Sequence, residues 1–291
     1  MLRIFLFLAT NIAVLAVITV VFRLLGLEGI LQSNGVDLDL EALLVYSAII
    51  GFSGSIISLL LSKPMAKMAM RVRVVTQPSN RTEQWLLQTL AAQSKSAGIA
   101  VPEFGIFESE APNAFATGWN KNAALIAVST GLLATMDKGE VEAVLAHEVS
   151  HAANGDMVTL ALIQGVMNTF VVFASRIVGF LVDRLVFRVE RGHGPGFWIV
   201  SMIAEVAFGI LATIVVMWFS RWREYRADAG GARIAGRQNM INALARLATH
   251  KIDGKLPDEM RALAINAGRV QALFASHPPL EKRIEALRAS Q

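Results

Sequence analysis

Apolar residues in this chain gather in long unbroken blocks, separated by stretches of mixed character. Residues 4–22, 42–62 and 157–175 carry no charge, and residues 197–220 carry only Glu205. Each block approaches the roughly 20 apolar residues that a helix needs to cross a bilayer. The pattern therefore predicts two pairs of candidate spans, with soluble segments after each pair. Residue Arg3 precedes the first block, but the block is longer than the apolar part of a signal peptide, which is about 7–15 residues, so it reads as an anchor. In the second block Ser47, Gly51 and Ser55 recur every four positions, as do Gly54 and Ser58, and such a small-residue face admits a neighbouring backbone. The first span is its expected partner. Residues 80–97 show helical spacing through Trp85, Leu86 and Leu90, closed by Gly98. Residues 104–107 and 123–128 read as short strands around NAFATGWNKN, where Gly118, Asn120 and Asn122 supply turns.

The expected fold is mainly α with a small β-sheet, in an integral membrane protein. Its expected parts are two N-terminal spans (1–62), a first soluble part (63–156), a hydrophobic hairpin (157–220) and a second soluble part (221–291). Composition agrees: 54% of residues are hydrophobic and the mean hydropathy is +0.50. With no cysteine there are neither disulfides nor thiolate ligands, so any metal must be held by His, Asp or Glu. The net charge of +4 comes from basic residues beside the apolar blocks, which argues for membrane topology and against nucleic acid. Residues 26–41 hold Glu28, Asp37, Asp39 and Glu41 and no Lys or Arg, whereas Lys63, Lys67, Arg71, Arg73 and Arg81 follow the second block. The positive-inside bias then places everything from Lys63 onward in the cytoplasm at its start. Arg184, Arg188 and Arg191 near the hairpin tip run against a complete crossing of residues 157–220. Arg176 and Glu205 interrupt the two arms at similar depth, and an intramembrane charge needs a partner, so they are expected to pair.

The stretch AHEVSH places His147, Glu148 and His151 in one soluble helix, which Asp137 and Glu140 can cap as a capping box and Gly155 can close. A separation of four turns both imidazoles to one face. A catalytic zinc needs a third protein ligand and an open position for water. The extended pattern H-E-x-x-H-x-x-G-x-x-H is absent, because Asn154 and Met157 stand at its last two positions. The candidate third ligand is Glu224, followed four residues later by Asp228 on what reads as a further helix in SRWREYRADAGGARIAG. Asp156 is a rival that ranks lower, since it falls at the helix end.

AHEVSHAANGD with REYRADAGGA, the two leading apolar blocks, the hairpin between the motifs, NAFATG and SHPPLEKRIEAL resembles, over essentially the full length, the HtpX-type membrane-bound zinc metallopeptidases, relatives of the CAAX prenyl endopeptidases. The resemblance implies a zincin-like catalytic domain with one zinc ion on His147, His151 and Glu224 and with Glu148 as general base. It implies Asp228 as the partner orienting a ligand imidazole, and His277 as a residue able to approach the zinc in the transition state or at rest. Asn113, in a strand edge that can take an extended chain, is the expected substrate-facing residue. His193 and His250 are given no role. The implied activity is endopeptidase cleavage of unfolded or damaged membrane proteins, in quality control and stress response, at the cytoplasmic face of a bacterial inner membrane. Its partners are polypeptide substrates and the lipid bilayer, and the oligomeric state is left open. A metal-binding or transport protein without catalysis, and a prenyl-protein peptidase, are the alternative readings.

Overall fold

The computed structural model describes residues 39–189, 192–252 and 275–290. The first apolar block, 4–22, lies outside them. Helix α1 (Leu40–Ala69) leads to strand β1 (Arg73–Val74), helix α2 (Arg81–Ala97) and strands β2 (Glu103–Phe107), β3 (Ala114–Thr117) and β4 (Leu125–Ser129). Helices α3 (Thr130–Thr135), α4 (Lys138–Asn154), α5 (Asp156–Leu185), α6 (Pro195–Ala235), α7 (Arg237–Ile252) and α8 (Leu280–Ala289) follow. The mainly helical fold with a small sheet is thus the observed one. Among the described residues α1, α5 and α6 are long and apolar enough to cross a membrane. They expose side chains such as Val45, Ile49, Trp198 and Val206, a surface that suits lipid.

The chain divides into two compact units, Met1–Ile56 with Leu162–Thr213 and Ile57–Ala161 with Ile214–Gln291. In the first, the small face of α1 is occupied by α5. A Cβ on Gly51 would lie 2.5 Å from the Thr169 nitrogen, and one on Gly165 would lie 2.8 Å from Phe52 and Ser55. Gly165 and Thr169 supply the small complementary positions that bring the α5 backbone against Gly51 and Ser55, while the expected partner, residues 4–22, lies outside the described residues. The turn from α5 to α6 is held by buried Asp183, which accepts from the backbone N–H groups of Gly194 at 2.7 Å and Phe197 at 3.1 Å. Arg176 and Glu205 do meet, at 3.0 Å. Arg176→Glu and Glu205→Arg are each expected to cost about 2–3 kcal/mol, the order of an unpaired charge in a span, and the double exchange to recover most of it. Thermal unfolding in detergent measures this, and a double variant no more stable than either single one contradicts the pairing.

In the second unit the sheet order is β1-β2-β4-β3, with β2 and β4 parallel and the outer pairs antiparallel. Strand β3, Ala114 to Thr117, lies within NAFATG and forms one edge of the sheet, paired only with β4 among the described residues. The sheet and α4 enclose Leu86, Leu90, Phe104, Ile126, Leu145 and Val149, all nearly inaccessible. Glu224 proves to lie on the same helix as the last apolar block: α6 runs unbroken from Pro195 to Ala235. No Gly or Pro separates Ser220 from Glu224, so nothing in the chain ends the helix where the charges begin.

Candidate metal centre

Helix α4 is set in register at both ends. Asp137 Oδ1 accepts from the Glu140 N–H at 2.8 Å and Glu140 Oε2 accepts from the Asp137 N–H at 3.0 Å, satisfying two backbone donors that a helix start leaves open. Gly155 closes the helix with φ 68°. Between these ends α4 is nearly buried, and it presents His147 and His151 on one face with their Nε2 atoms 3.1 Å apart. Helix α6 approaches this face through two glycines. A Cβ on Gly231 would sit 3.1 Å from the His147 nitrogen, and one on Gly230 2.6 Å from Ser150 Oγ.

That approach delivers Glu224, whose Oε1 lies 3.2 Å from His151 Nε2 and whose Oε2 lies 3.6 Å from His147 Nε2. One donor atom from each of the three residues lies within 4.8 Å of the others. Zinc bonds of about 2.0–2.1 Å in a tetrahedron set its donors about 3.4 Å apart. The two imidazole nitrogens, and the Glu224 oxygen nearest each of them, lie 3.1–3.6 Å apart, close to that value, so the carboxylate and the two imidazoles together fit one such ion. Each imidazole is also held from behind. His151 Nδ1 is 2.7 Å from Asp156 Oδ2, and His147 Nδ1 is 3.0 Å from Asp228 Oδ1, though off the axis of a directed hydrogen bond. Carboxylates in these positions favour the tautomer whose Nε2 lone pair faces an ion. Asp156 therefore lies behind the imidazole rather than in the donor cluster where the rival reading put it, because the helix end turns its carboxylate toward Nδ1.

Without metal the cluster is proton-rich. Burial works to lower the His151 pKa, but hydrogen bonds to Asp156 and Glu224 and the charge of Glu148 outweigh it and push it up to about 10. His147 is likewise raised: burial opposes protonation, and Asp228 and Glu224 favour it more strongly. Arg283, on α8, supplies a fixed cation beneath the site. It forks onto Asp228 through bonds of 2.7 and 2.6 Å and comes within 3.3 Å of Glu224 Oε2. His277 Nδ1 lies 2.7 Å from the same Glu224 oxygen, while Oε1 faces His151. Arg223 ties α6 to the start of α5 by donating to the Asp156 carbonyl at 3.0 Å.

A cavity of about 400 Å³ opens on the cluster. Glu148, His147, Glu224, His277 and Arg283 line it, together with Asn113 and Ala114 at the start of β3. The Asn113 backbone is fixed by Ser129, whose Oγ accepts its N–H at 2.9 Å and whose N–H donates to its carbonyl at 2.8 Å. Arg283 and the Gly230–Gly231 pair were not legible as site residues from the sequence pattern, and Asp156 was legible only as a rival ligand, not as the partner of His151 Nδ1. Arg283 lies within SHPPLEKRIEAL, and the adjacent glycines inside a helical stretch were a signal of close packing.

Comparison with known proteins agrees with this geometry. Residues 80–291 match the model of Peptidase family M48. The chain is 67% identical over 287 residues to Protease HtpX of Pseudoalteromonas atlantica, covering 99% of each chain. It is 61% identical over 292 residues to Protease HtpX of Thioalkalivibrio sulfidiphilus, again covering 99% of each. In fold it is similar to the crystal structure of S. mikatae Ste24p, with a TM-score of 0.61 at 17% identity, covering 93% of this chain and 66% of that one. With its candidate spans and its convergent His, His, Glu cluster, the chain belongs to peptidase family M48 and is a membrane metalloendopeptidase.

Proposed function

We propose that the metal is zinc, held by His147, His151 and Glu224, and that Glu148 is the general base for peptide-bond hydrolysis. The observation carrying this reading is the convergence of three donor atoms at zinc-like separations, with Glu148 on the wall of the same cavity. When bound, the ion supplies Lewis acidity that lowers the pKa of a water to about 7 and polarises the scissile carbonyl. Glu148 takes the proton of the attacking water and passes it to the departing amine nitrogen. Asp156 and Asp228 keep the imidazoles aimed, Arg283 holds Asp228 and Glu224 in place, and His277, 61% exposed in its side chain and hydrogen-bonded to Glu224, turns toward the developing oxyanion by exchanging that bond. An extended substrate pairs with the outer edge of β3 beside Asn113, so recognition rests on backbone more than on side chains.

The substrates we propose are unfolded or damaged membrane proteins, in quality control under stress, and the site faces the cytoplasm at a bacterial inner membrane. The charge asymmetry between residues 26–41 and 63–81 supports that orientation. Glu224 follows the apolar block 197–220 by about one helical turn, which supports cleavage close to the bilayer. Chelation is expected to abolish cleavage of an unfolded protein by the detergent-purified enzyme, and zinc to restore it. Because the His151 pKa is pushed up to about 10 in the metal-free fold, zinc must displace its proton: binding releases a proton, and affinity rises as pH rises toward 10 and falls as pH drops. Calorimetric titration in two buffers of different ionisation enthalpy measures the release. Cleavage that persists without metal, or binding without proton release, contradicts the assignment.

A further inference from the structure

The turn between β3 and β4 carries a large aromatic side chain that the fold itself does not use. Trp119 is 52% exposed, although β3 is half-buried and β4 wholly buried. The turn is well defined: Gly118 has φ 141°, and a Cβ there would meet the Ala123 carbonyl at 2.8 Å. It is also tethered. Lys63 Nζ lies 3.5 Å from that carbonyl oxygen, and Lys63 and Lys67 both pair with Glu103 at the start of β2. Lys63 is the first residue after the apolar block 42–62, so the tether fixes the turn at the level where the span of α1 ends. Beyond Lys63, the last turns of α1 still present Met65 and Met68, exposed by 54% and 74%. Lys121 is exposed in the same turn. An exposed tryptophan among lysines at the end of a span is the composition found where side chains settle at the headgroup level.

We propose that residues 118–122 enter the membrane interface, with Trp119 among the lipid headgroups, and that the partner of this surface is the bilayer itself. Strand β3 then leads from the interface to the cavity. Asn113 precedes the turn by five residues through β3, which at about 3.3 Å each sets it roughly 16 Å from Gly118. The β3 edge of the sheet receives a chain as it leaves the bilayer, and segments emerging from the membrane are the substrate class. This rests on the peptidase reading above and specifies where its substrates enter.

The test uses the full chain in phosphatidylcholine nanodiscs whose acyl chains are brominated near the headgroup end. Replacing Trp85, Trp198, Trp218 and Trp222 by Phe leaves Trp119 as the sole tryptophan. Its emission is expected to be quenched by the bromines and shielded from acrylamide in the water. Quenching by acrylamide with no response to bromine, as for a turn kept in water for a soluble partner, overturns the proposal. Should the fourfold variant not fold, a nitroxide on Lys121→Cys in this cysteine-free chain answers the same question. Relaxation by oxygen dissolved in the membrane supports the proposal, and relaxation by an aqueous nickel complex overturns it. Trp119→Ser is further expected to slow cleavage of a membrane-anchored unfolded substrate several-fold and to leave a soluble unfolded substrate unchanged, with Trp119→Phe restoring most of the rate. Equal loss on both substrates overturns the anchor and leaves the peptidase reading intact. A native enzyme that cleaves neither substrate overturns the peptidase reading, and the quenching result still decides the anchor.

Discussion

Glu224→Ala is expected to lose its zinc and, with it, all measurable cleavage. Two imidazoles on one helix remain, but a catalytic zinc site uses three protein ligands. The substitution also removes the acceptor for His277 Nδ1 and one of the two carboxylates near Arg283, leaving a buried cation short of counter-charge. Changes to groups that only orient a ligand cost about 10–100-fold in metal affinity, so Asp228→Asn belongs in that range and Glu224→Ala must exceed it. Metal content after dialysis against a weak chelator separates the two. Stoichiometric zinc on Glu224→Ala contradicts the ligand assignment.

Arg283→Met is expected to be the most destabilising single change near the site. Arg283 is 6% exposed and holds Asp228, itself 1% exposed, through two bonds. Removing one partner of a buried pair strands the other charge, at a cost of about 3–5 kcal/mol. Arg283→Lys restores the charge but not the planar fork that fits both Asp228 oxygens, so it recovers only part of the loss. Asp228→Asn combined with Arg283→Met is expected to be more stable than Arg283→Met alone, because no unpaired carboxylate remains on Asp228. Thermal unfolding in detergent measures this series, and a fully stable Arg283→Met contradicts the role of α8 as a clamp on the metal centre.

The parts of this site that sequence made legible are those written in local pattern. The α4 helix, its Asp137–Glu140 box, its Gly155 end and the shared face of His147 and His151 follow from spacing and capping preferences alone. The long apolar blocks were equally plain, and the pairing of Arg176 with Glu205 followed from the cost of leaving either alone in a span. What stayed hidden depends on which surfaces meet. The Ser47, Gly51, Ser55 stripe announces a close neighbour without naming it, and the pattern gave no sign that Gly165 and Thr169 of α5 meet Gly51 and Ser55. The continuity of α6 through Ser220 was obscured by the change from apolar to charged residues, which alters what the helix faces without ending it. Arg283 and Asp156 gain their roles only when α8 and the start of α5 come against the imidazoles and carboxylates of the cluster.

The most direct test of the account compares the native chain with Glu148→Gln at equal zinc content, on an unfolded protein substrate. Glutamine keeps the size of the side chain and removes its ability to take a proton, so the variant is expected to bind zinc normally and to cleave about 10²–10⁴-fold more slowly. A Glu148→Gln enzyme that holds the same zinc and cleaves at the native rate would show that another group takes the proton, and the proposed chemistry would fail.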